Sequence, residues 1–165
     1  MEQQSMIEKT WYTLSGDKVE DIRDAVRKAC EGSDKVVIIG TDSQMHRRLE
    51  FVTTIVVYTI GKGGRVFYTK TFQEHVSSLR KKLVDEAWLS IYTAWQIEPY
   101  LPPDVDLGAI HADVNPDPTA DSSKYHDEIY WLIKGQGFEV VTKPLAYASS
   151  HIAEHIVKHR NVGRY

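Results

Sequence analysis

The spacing of apolar residues in the first third of the chain predicts one helix followed by one strand. Residues 15–31 carry apolar side chains at helical intervals and end before Gly32, which predicts an amphipathic helix. Ser15 or Asp17 is its expected N-cap. Residues 36–44 form the most apolar strand-like run and finish in polar side chains. Such a run is typical of a strand buried on both faces in the middle of a sheet.

A three-stranded antiparallel meander is predicted from the segments that follow. Residues 50–60 and 65–74 are rich in β-branched and aromatic residues, and the glycine-rich segment 61–64 between them favours a hairpin. Only the short polar link 45–49 separates this hairpin from the first strand. We therefore expect the first and second strands to pair antiparallel as well.

The second half of the chain alternates between helical and extended patterns. The expected elements are, in order, a helix over residues 76–97 that ends before Pro99, a strand over 107–113, a helix over 122–134, a strand over 138–142 and a last helix from Ser149 or Ser150 to His159. A meander followed by this alternation indicates an α/β fold. The fold predicted is a mixed five-stranded sheet with helices on both faces and an extra N-terminal helix.

Two aspartates stand at the ends of the strands predicted to be most buried. Asp42 closes the first of these runs, and Asp113 closes the fourth strand. Because these two strands are neighbours in such a sheet, we expect the carboxylates to lie side by side. Asp42 alone has an ordinary interpretation as a turn or cap residue. A pair of acids at buried strand ends needs compensation, and a bound cation supplies it, which favours a metal site.

Composition limits the class of protein. The chain has 165 residues, of which 42% are hydrophobic and 26% are charged, and we expect one domain over residues 1–165. No run of about 18 apolar residues is present, and residues 1–4 lack the pattern of a signal peptide. We therefore expect a cytoplasmic protein without a membrane span. The single cysteine, Cys30, excludes an internal disulfide and is expected to pack at a helix end.

Charge bears on nucleic acid as a partner. The net charge of −3 argues against tight nonspecific binding to a phosphate backbone. Basic residues nevertheless cluster at positions 47–48, 80–82 and 158–160, and carboxylates of a metal site lower the net charge by themselves. Nucleic acid thus stays open as a partner.

Three motifs resemble one family over roughly the whole chain. The segment Thr41-Asp42-Ser43-Gln44 is similar to the T-D-G-S type motif that ends the first strand in the ribonuclease H-like superfamily, with Ser43 where glycine is common. Together with H-A-D-V-N-P-D from His111 and S-S-H-I-A-E-H from Ser149, it resembles the ribonuclease H-like YkuK family of bacteria. The resemblance implies a ribonuclease H-like fold and a nuclease site that includes Asp42 and Asp113.

The resemblance also implies a third acid on the helix after the meander, where Asp85 and Glu86 are the candidates. At about 100° per residue, Glu86 lies at the border of the apolar arc of this helix and Asp85 lies on its polar side. Glu86 is therefore the preferred ligand, and a solvated surface glutamate is the ordinary alternative. The predicted arc consists of Leu79, Leu83, Ala87, Ile91, Trp95 and Ile97. The tryptophans at 88, 95 and 131 are expected at helical core positions rather than in base stacking.

A fourth ligand position in this superfamily comes from the start of the last helix. His151, Glu154 and His155 match that position, and their spacing of i, i+3 and i+4 puts them on one helix face. His151 and Glu154 also match the spacing of the H-x-x-D arrangement in Holliday-junction resolvases, with glutamate in place of aspartate. Which of the three binds metal stays open.

The same segment has a second interpretation as a zinc site. The residues from His151 to His155 match H-x-x-E-H, the signature of inverzincin peptidases, in which two imidazoles bind zinc and the glutamate is the base. Those enzymes take a further ligand well downstream, whereas only a short tail follows His155. A zinc hydrolase that uses His151, Glu154 and His155 is the lesser alternative.

The function implied by the resemblance is hydrolysis of phosphodiester bonds in RNA, DNA or a hybrid. Two Mg²⁺ or Mn²⁺ ions suit carboxylate ligands, and such a pair activates water and the leaving oxygen. Asp42 is expected to bridge both ions, Glu86 and Asp113 to complete one site, and His151 or Glu154 to serve the other. The alternative from another class is a noncatalytic module that binds nucleic acid or protein on the same fold.

Overall fold

Ten regular elements and two short 3-10 turns lie in residues 4–74 and 78–142, which the computed structural model of the chain describes. They are β1 Trp11–Thr13, β2 Lys18–Val19, α1 Ile22–Ala29, β3 Lys35–Met45, β4 Leu49–Thr59, β5 Gly63–Gln73, α2 Leu79–Ile97, a 3-10 turn Glu98–Tyr100, β6 Asp106–Ala112, a 3-10 turn Ser123–Tyr125, α3 His126–Gly135 and β7 Val140–Thr142. From β3 to β7 this order follows the prediction. The helix predicted after Ser149 lies outside the described residues. Within them, no helix is long and apolar enough to cross a membrane.

The strands form one mixed sheet in the order β2-β1-β5-β4-β3-β6-β7. The predicted meander is confirmed, because β4 pairs antiparallel with both β3 and β5. Strand β6 pairs parallel with β3, and β7 pairs parallel with β6. The prediction of five strands was wrong: strands β3 to β7 are those five, and β1 and β2 extend the sheet beyond β5.

The region before β3 also differs from the predicted single helix. Helix α1 begins only at Ile22, and its N-cap is Asp21, whose carboxylate accepts the backbone N–H of Arg23 at 2.9 Å. Ser15 and Asp17 instead bond to each other in the turn between β1 and β2. Strand β2 lies inside the predicted helix and β1 lies before it, in a segment with no predicted element. Strands of two and three residues are too short to show a period. The predicted end of the helix is confirmed, with Cys30 buried at the C-cap.

The core lies between the sheet and the helices. Strand β3 sits between β4 and β6, as predicted, and its residues Val37 and Ile39 are fully buried. Helices α1, α2 and α3 all contribute side chains to the same apolar cluster as these two residues. The prediction of helices on both faces also depends on the last predicted helix, which is not among the described residues.

A glycine lets the two strands that carry the aspartates approach closely. A Cβ at Gly108 would collide with the side chain of Val36, and the register between β3 and β6 shifts at this point. Beyond the shift Gly40 pairs with His111. Asp42 and Asp113 each follow these paired residues by two positions, so the register brings the two aspartates to the same level of the sheet.

Helix α2 is buried on more sides than an amphipathic surface helix. It begins after Ser78, whose hydroxyl accepts the backbone N–H of Lys81 at 3.1 Å, and it ends before Pro99 as predicted. Asp85 was predicted on the polar side but is only 1% exposed, and its carboxylate pairs with the Lys81 ammonium at 2.6 Å. That placement was wrong because the polar side of α2 is covered as well.

Two tryptophans predicted at core positions are exposed. Trp95 is 37% exposed and Trp131 is 65% exposed. On α3 the buried positions are Ile129 and Ile133, four residues apart, so the residue midway between them points away from the core. On α2, Trp95 packs at the surface against Trp88, with ring centroids 6.2 Å apart.

Candidate metal centre

Three carboxylates meet at the end of the sheet where β3 and β6 finish. Asp42 lies near the end of β3, Asp113 immediately follows β6, and Glu86 lies on α2. One oxygen from each of the three lies within 4.8 Å of the others. Oxygen ligands sit about 2.0–2.6 Å from Mg²⁺ or Ca²⁺, so ligands of one ion are at most about 5 Å apart. The spacing of the three carboxylates therefore suits a shared cation.

Strand alternation explains how α2 is placed against β3. Residues Thr41 and Ser43 share one face of β3, and both bond to α2. The hydroxyls of Thr41 and Ser90 lie 2.7 Å apart, and the Ser43 hydroxyl donates to Glu86 Oε2 at 2.5 Å. Ser90 and Glu86 are one helical turn apart, so the two bonds fix both the height and the rotation of α2.

Burial and like charge act together on Glu86. This residue is 4% exposed, and burial is the main cause that raises the pKa of its carboxyl well above the ordinary value of 4.5. The negative charges of Asp113 and Asp42 raise the pKa further, while the bond from Ser43 and the charge of Lys82 oppose the shift. A divalent cation among the three carboxylates would remove the repulsion that disfavours the charged form.

The donors present fit a hard divalent cation. All three groups offer carboxylate oxygen, the ligand type that Mg²⁺ and Mn²⁺ prefer. Glu86 Oε1 is buried, and among the described residues no donor reaches it. Leaving a buried acceptor unsatisfied costs about 1–3 kcal/mol, more for a charged group. A cation bound between the carboxylates would satisfy this atom.

Asp42 makes a local backbone bond in addition to its contribution to the centre. Its Oδ1 accepts the backbone N–H of the next residue, Ser43, at 2.8 Å, but the residue lies inside strand β3, where it pairs with Val52, and not in a turn or helix cap. The same side chain contributes an oxygen to the group of three. The local bond leaves room for a cation, because a carboxylate has two oxygens and about four acceptor positions.

The structure brings together Asp42, Glu86 and Asp113 among the predicted site residues. The other three, His151, Glu154 and His155, lie outside the described residues. Sequence reasoning missed Ser43 as the partner of Glu86, although its shared face with Thr41 was a signal for contact with α2. It also gave no role to His111, which lines a narrow cavity next to Glu86 and Asp113.

The fold and the acidic centre together define a class of protein. An antiparallel meander continued by a parallel strand, with acids at the two adjoining strand ends and on the next helix, is the arrangement expected of ribonuclease H-like proteins. The family comparison agrees: the chain matches the family described as Ribonuclease H-like over residues 17–158, and it belongs to this family. No curated protein and no solved structure matches the chain. The predicted superfamily is thus confirmed, and the finer YkuK resemblance stays a prediction.

Proposed function

We propose that this protein is a metal-dependent nuclease that hydrolyses phosphodiester bonds in nucleic acid. The observation that carries the proposal is the meeting of Asp42, Glu86 and Asp113 within 4.8 Å at the ends of neighbouring parallel strands. Membership of the ribonuclease H-like family supports nucleic acid as the substrate class. The motif resemblance to the YkuK family supports the same assignment.

The three carboxylates have distinct tasks in this proposal. When bound, two Mg²⁺ or Mn²⁺ ions stabilise charge on the attacking and leaving oxygens of an in-line displacement. Asp42 would be the shared ligand, and Asp113 and Glu86 would complete one of the two positions. Glu86 on α2 is held from the strand side by the hydroxyl of Ser43 on β3, so its position is fixed before a cation arrives. The second position is assigned to His151, Glu154 or His155.

A cleavage assay with defined oligonucleotides tests the function. Labelled single-stranded RNA, single-stranded DNA, duplex DNA and an RNA–DNA hybrid are incubated with the purified protein in Mg²⁺, Mn²⁺ or EDTA. We expect product from at least one substrate with either metal and none in EDTA. Asp42→Asn protein purified in parallel controls for a contaminating nuclease. Metal-independent binding without product would favour the noncatalytic module, and stoichiometric zinc in the purified protein would favour the zinc hydrolase.

Ser43→Ala is expected to weaken Mn²⁺ binding by about 10- to 100-fold, the range seen when a hydrogen bond to a metal ligand is lost. The reason is that Glu86 Oε2 loses its donor, and the carboxylate is no longer held toward the two aspartates. Calorimetric titration of Mn²⁺ into metal-stripped protein measures the affinity, and Ser43→Thr should restore much of it.

Ser90→Ala is the matched control for this variant. It removes another hydroxyl bridge between α2 and β3, one helical turn away, without touching a carboxylate of the centre. We expect it to lower thermal stability and keep the affinity for Mn²⁺. Equal losses of affinity in the two variants would show that Ser43 acts through the packing of α2 and does not position Glu86.

A further inference from the structure

An aromatic and cationic surface adjoins the candidate metal centre. It consists of Met45 at the end of β3, of His46, Arg47 and Arg48 in the turn that leads to β4, and of Phe72 near the end of β5. We call these five residues the turn platform. The turn follows the end of β3, so the platform lies at the same end of the sheet as Asp42.

The sheet register fixes where Phe72 lies relative to Asp42. Asp42 pairs with Val52, which pairs with Lys70, and Phe72 is in the next row on the same face as Lys70. Two strand spacings and one two-residue step put the Cα atoms of Asp42 and Phe72 about 12 Å apart. Nucleotides in a stacked strand repeat about every 3.4 Å, so this distance spans about three to four of them.

The platform exposes large apolar side chains at one end of the sheet. Phe72 is 45% exposed and Met45 is 54% exposed, whereas most large apolar side chains in the described residues are buried. The guanidinium of Arg48 lies over the Phe72 ring, 4.0 Å from its centroid. Single exposed apolar residues are common, but here an exposed ring coincides with two exposed arginines.

The two arginines carry the positive charge of the platform. Glu50, the acid on the neighbouring strand, is 2% exposed, pairs with the Lys70 ammonium at 2.7 Å and lies 3.9 Å from the His46 imidazole. Across residues 4–74 and 78–142, no ion pair joins Arg47 or Arg48 to a carboxylate. Two guanidinium groups, one of them stacked over a partly exposed ring, are complementary to a phosphate backbone with an accessible base, because bases stack against guanidinium and aromatic planes. An apolar protein partner would leave the arginine charges unpaired.

We propose that the turn platform binds an unpaired segment of the substrate strand, about three to four nucleotides from the bond that is cut. A base stacks on the outer face of the Arg48 guanidinium, which itself lies over the Phe72 ring, and Arg47 pairs with a phosphate. The segment is unpaired because bases inside a duplex already stack on their neighbours and offer no free face. The position of the cut rests on the proposed function, whereas the binding itself does not.

Binding of short oligonucleotides in EDTA tests the platform without cleavage. Fluorescence anisotropy is measured with labelled 12-nucleotide single strands of RNA and DNA and with a blunt duplex. Phe72→Leu keeps the apolar volume but removes the ring, and we expect it to weaken single-strand binding by about 5- to 150-fold. Phe72→Tyr keeps the ring and should bind like the wild type. Arg48→Gln should weaken binding through the lost stacking surface, and Arg47→Gln should weaken it and lower the salt slope by about one.

Arg65→Gln is the matched control. The Arg65 guanidinium also lies over a phenylalanine, 5.6 Å from the Phe67 ring centroid, but at the opposite end of β5. We expect this variant to bind single strands like the wild type. If Arg65→Gln and Arg48→Gln weaken binding equally, overall charge and not the platform is responsible, which would overturn the proposal.

The remaining outcomes separate the platform from the nuclease function. Single-strand binding that Phe72→Leu leaves unchanged would overturn the platform even if cleavage is intact. Loss of binding in Phe72→Leu in a protein that cuts nothing would support the platform and contradict the nuclease function. A wild-type protein that binds no single strand, or binds the duplex as tightly, would overturn the proposal and leave the surface to a protein partner.

Discussion

Asp42→Asn and Asp113→Asn are each expected to abolish cleavage and to weaken Mn²⁺ binding by at least about 100-fold, since even loss of a group behind a ligand costs 10- to 100-fold. An amide retains the size of the carboxylate but removes the charge, and its oxygen is a weaker ligand for a hard cation. The Asp42 change should be the more severe of the two, because this residue is proposed to serve both ions. Calorimetric titration of Mn²⁺ into metal-stripped protein measures the loss.

The matched control for both variants is Asp117→Asn. Asp117 is an exposed acid four residues after Asp113, and its carboxylate accepts the backbone N–H and the hydroxyl of Thr119. Its removal deletes one negative charge near the centre without deleting a ligand, so Mn²⁺ affinity should stay close to that of the wild type. Circular dichroism establishes that all variants are folded. Binding that survives both Asp42→Asn and Asp113→Asn would contradict a metal site built on these carboxylates.

The positions of Asp42 and Asp113 follow from the sequence because two strong signals coincide there. Each acid ends an apolar run, and short connections force the first strand to pair with the second, which leaves its other edge for the fourth strand. The structure shows this parallel pairing between β3 and β6. The positions of the two aspartates along the sheet also depend on the register shift between β3 and β6 at Gly108. No pattern in the sequence predicts that shift.

The sequence places Glu86 at the border of a predicted apolar arc of helix α2, and the structure confirms only part of that arc. Leu83, Ala87 and Ile91 of that arc are buried, and Glu86 at its border lies beside the two aspartates. Asp85 is buried too, because α2 is covered on more than one side. A hydrophobic arc identifies the face toward the sheet, but it does not tell whether the opposite face meets solvent or other parts of the chain.

The contacts that sequence reasoning missed join residues far apart in the chain. Strand β1 exists because Tyr12 pairs with Tyr68 on β5, and three residues in isolation have no preference strong enough to predict a strand. Ser43 looked like a departure from a glycine motif, but its hydroxyl bonds to Glu86. Both features are tertiary, so they become visible only when the sheet and α2 are assembled.

Glu86→Gln is expected to stabilise the metal-free protein at neutral pH. The folded-state pKa of Glu86 is raised above its ordinary value of 4.5, chiefly by burial and then by the charges of Asp113 and Asp42. Between the unfolded and folded pKa values the folded chain binds more protons, so the free energy of unfolding falls as pH rises through that window. A neutral amide avoids this cost. Each kcal/mol gained should raise Tm by about 2–4 °C.

Thermal unfolding in EDTA between pH 4.5 and 8 measures this effect. As pH is lowered from neutral toward 4.5, the contribution of Glu86 should raise the free energy of unfolding of the wild type. Glu86→Gln should lack this contribution to the pH dependence. Glu128→Gln, which removes an exposed acid paired with Arg80 at 2.8 Å, should retain the pH dependence of the wild type. Lower stability of Glu86→Gln at neutral pH in EDTA would mean that the charged form is already compensated without metal.

Added Mn²⁺ should reverse the order of stability of the two proteins. In the wild type, the cation compensates the charge on Glu86 and contributes about 2.7 kcal/mol when present at 100 times its Kd. Glu86→Gln has lost a charged ligand and should gain much less at the same concentration. A glutamate with only a structural role would change stability in the same direction with and without Mn²⁺. Stabilisation by Glu86→Gln without Mn²⁺ and destabilisation with Mn²⁺ are therefore specific to a residue whose buried charge is maintained for binding a cation.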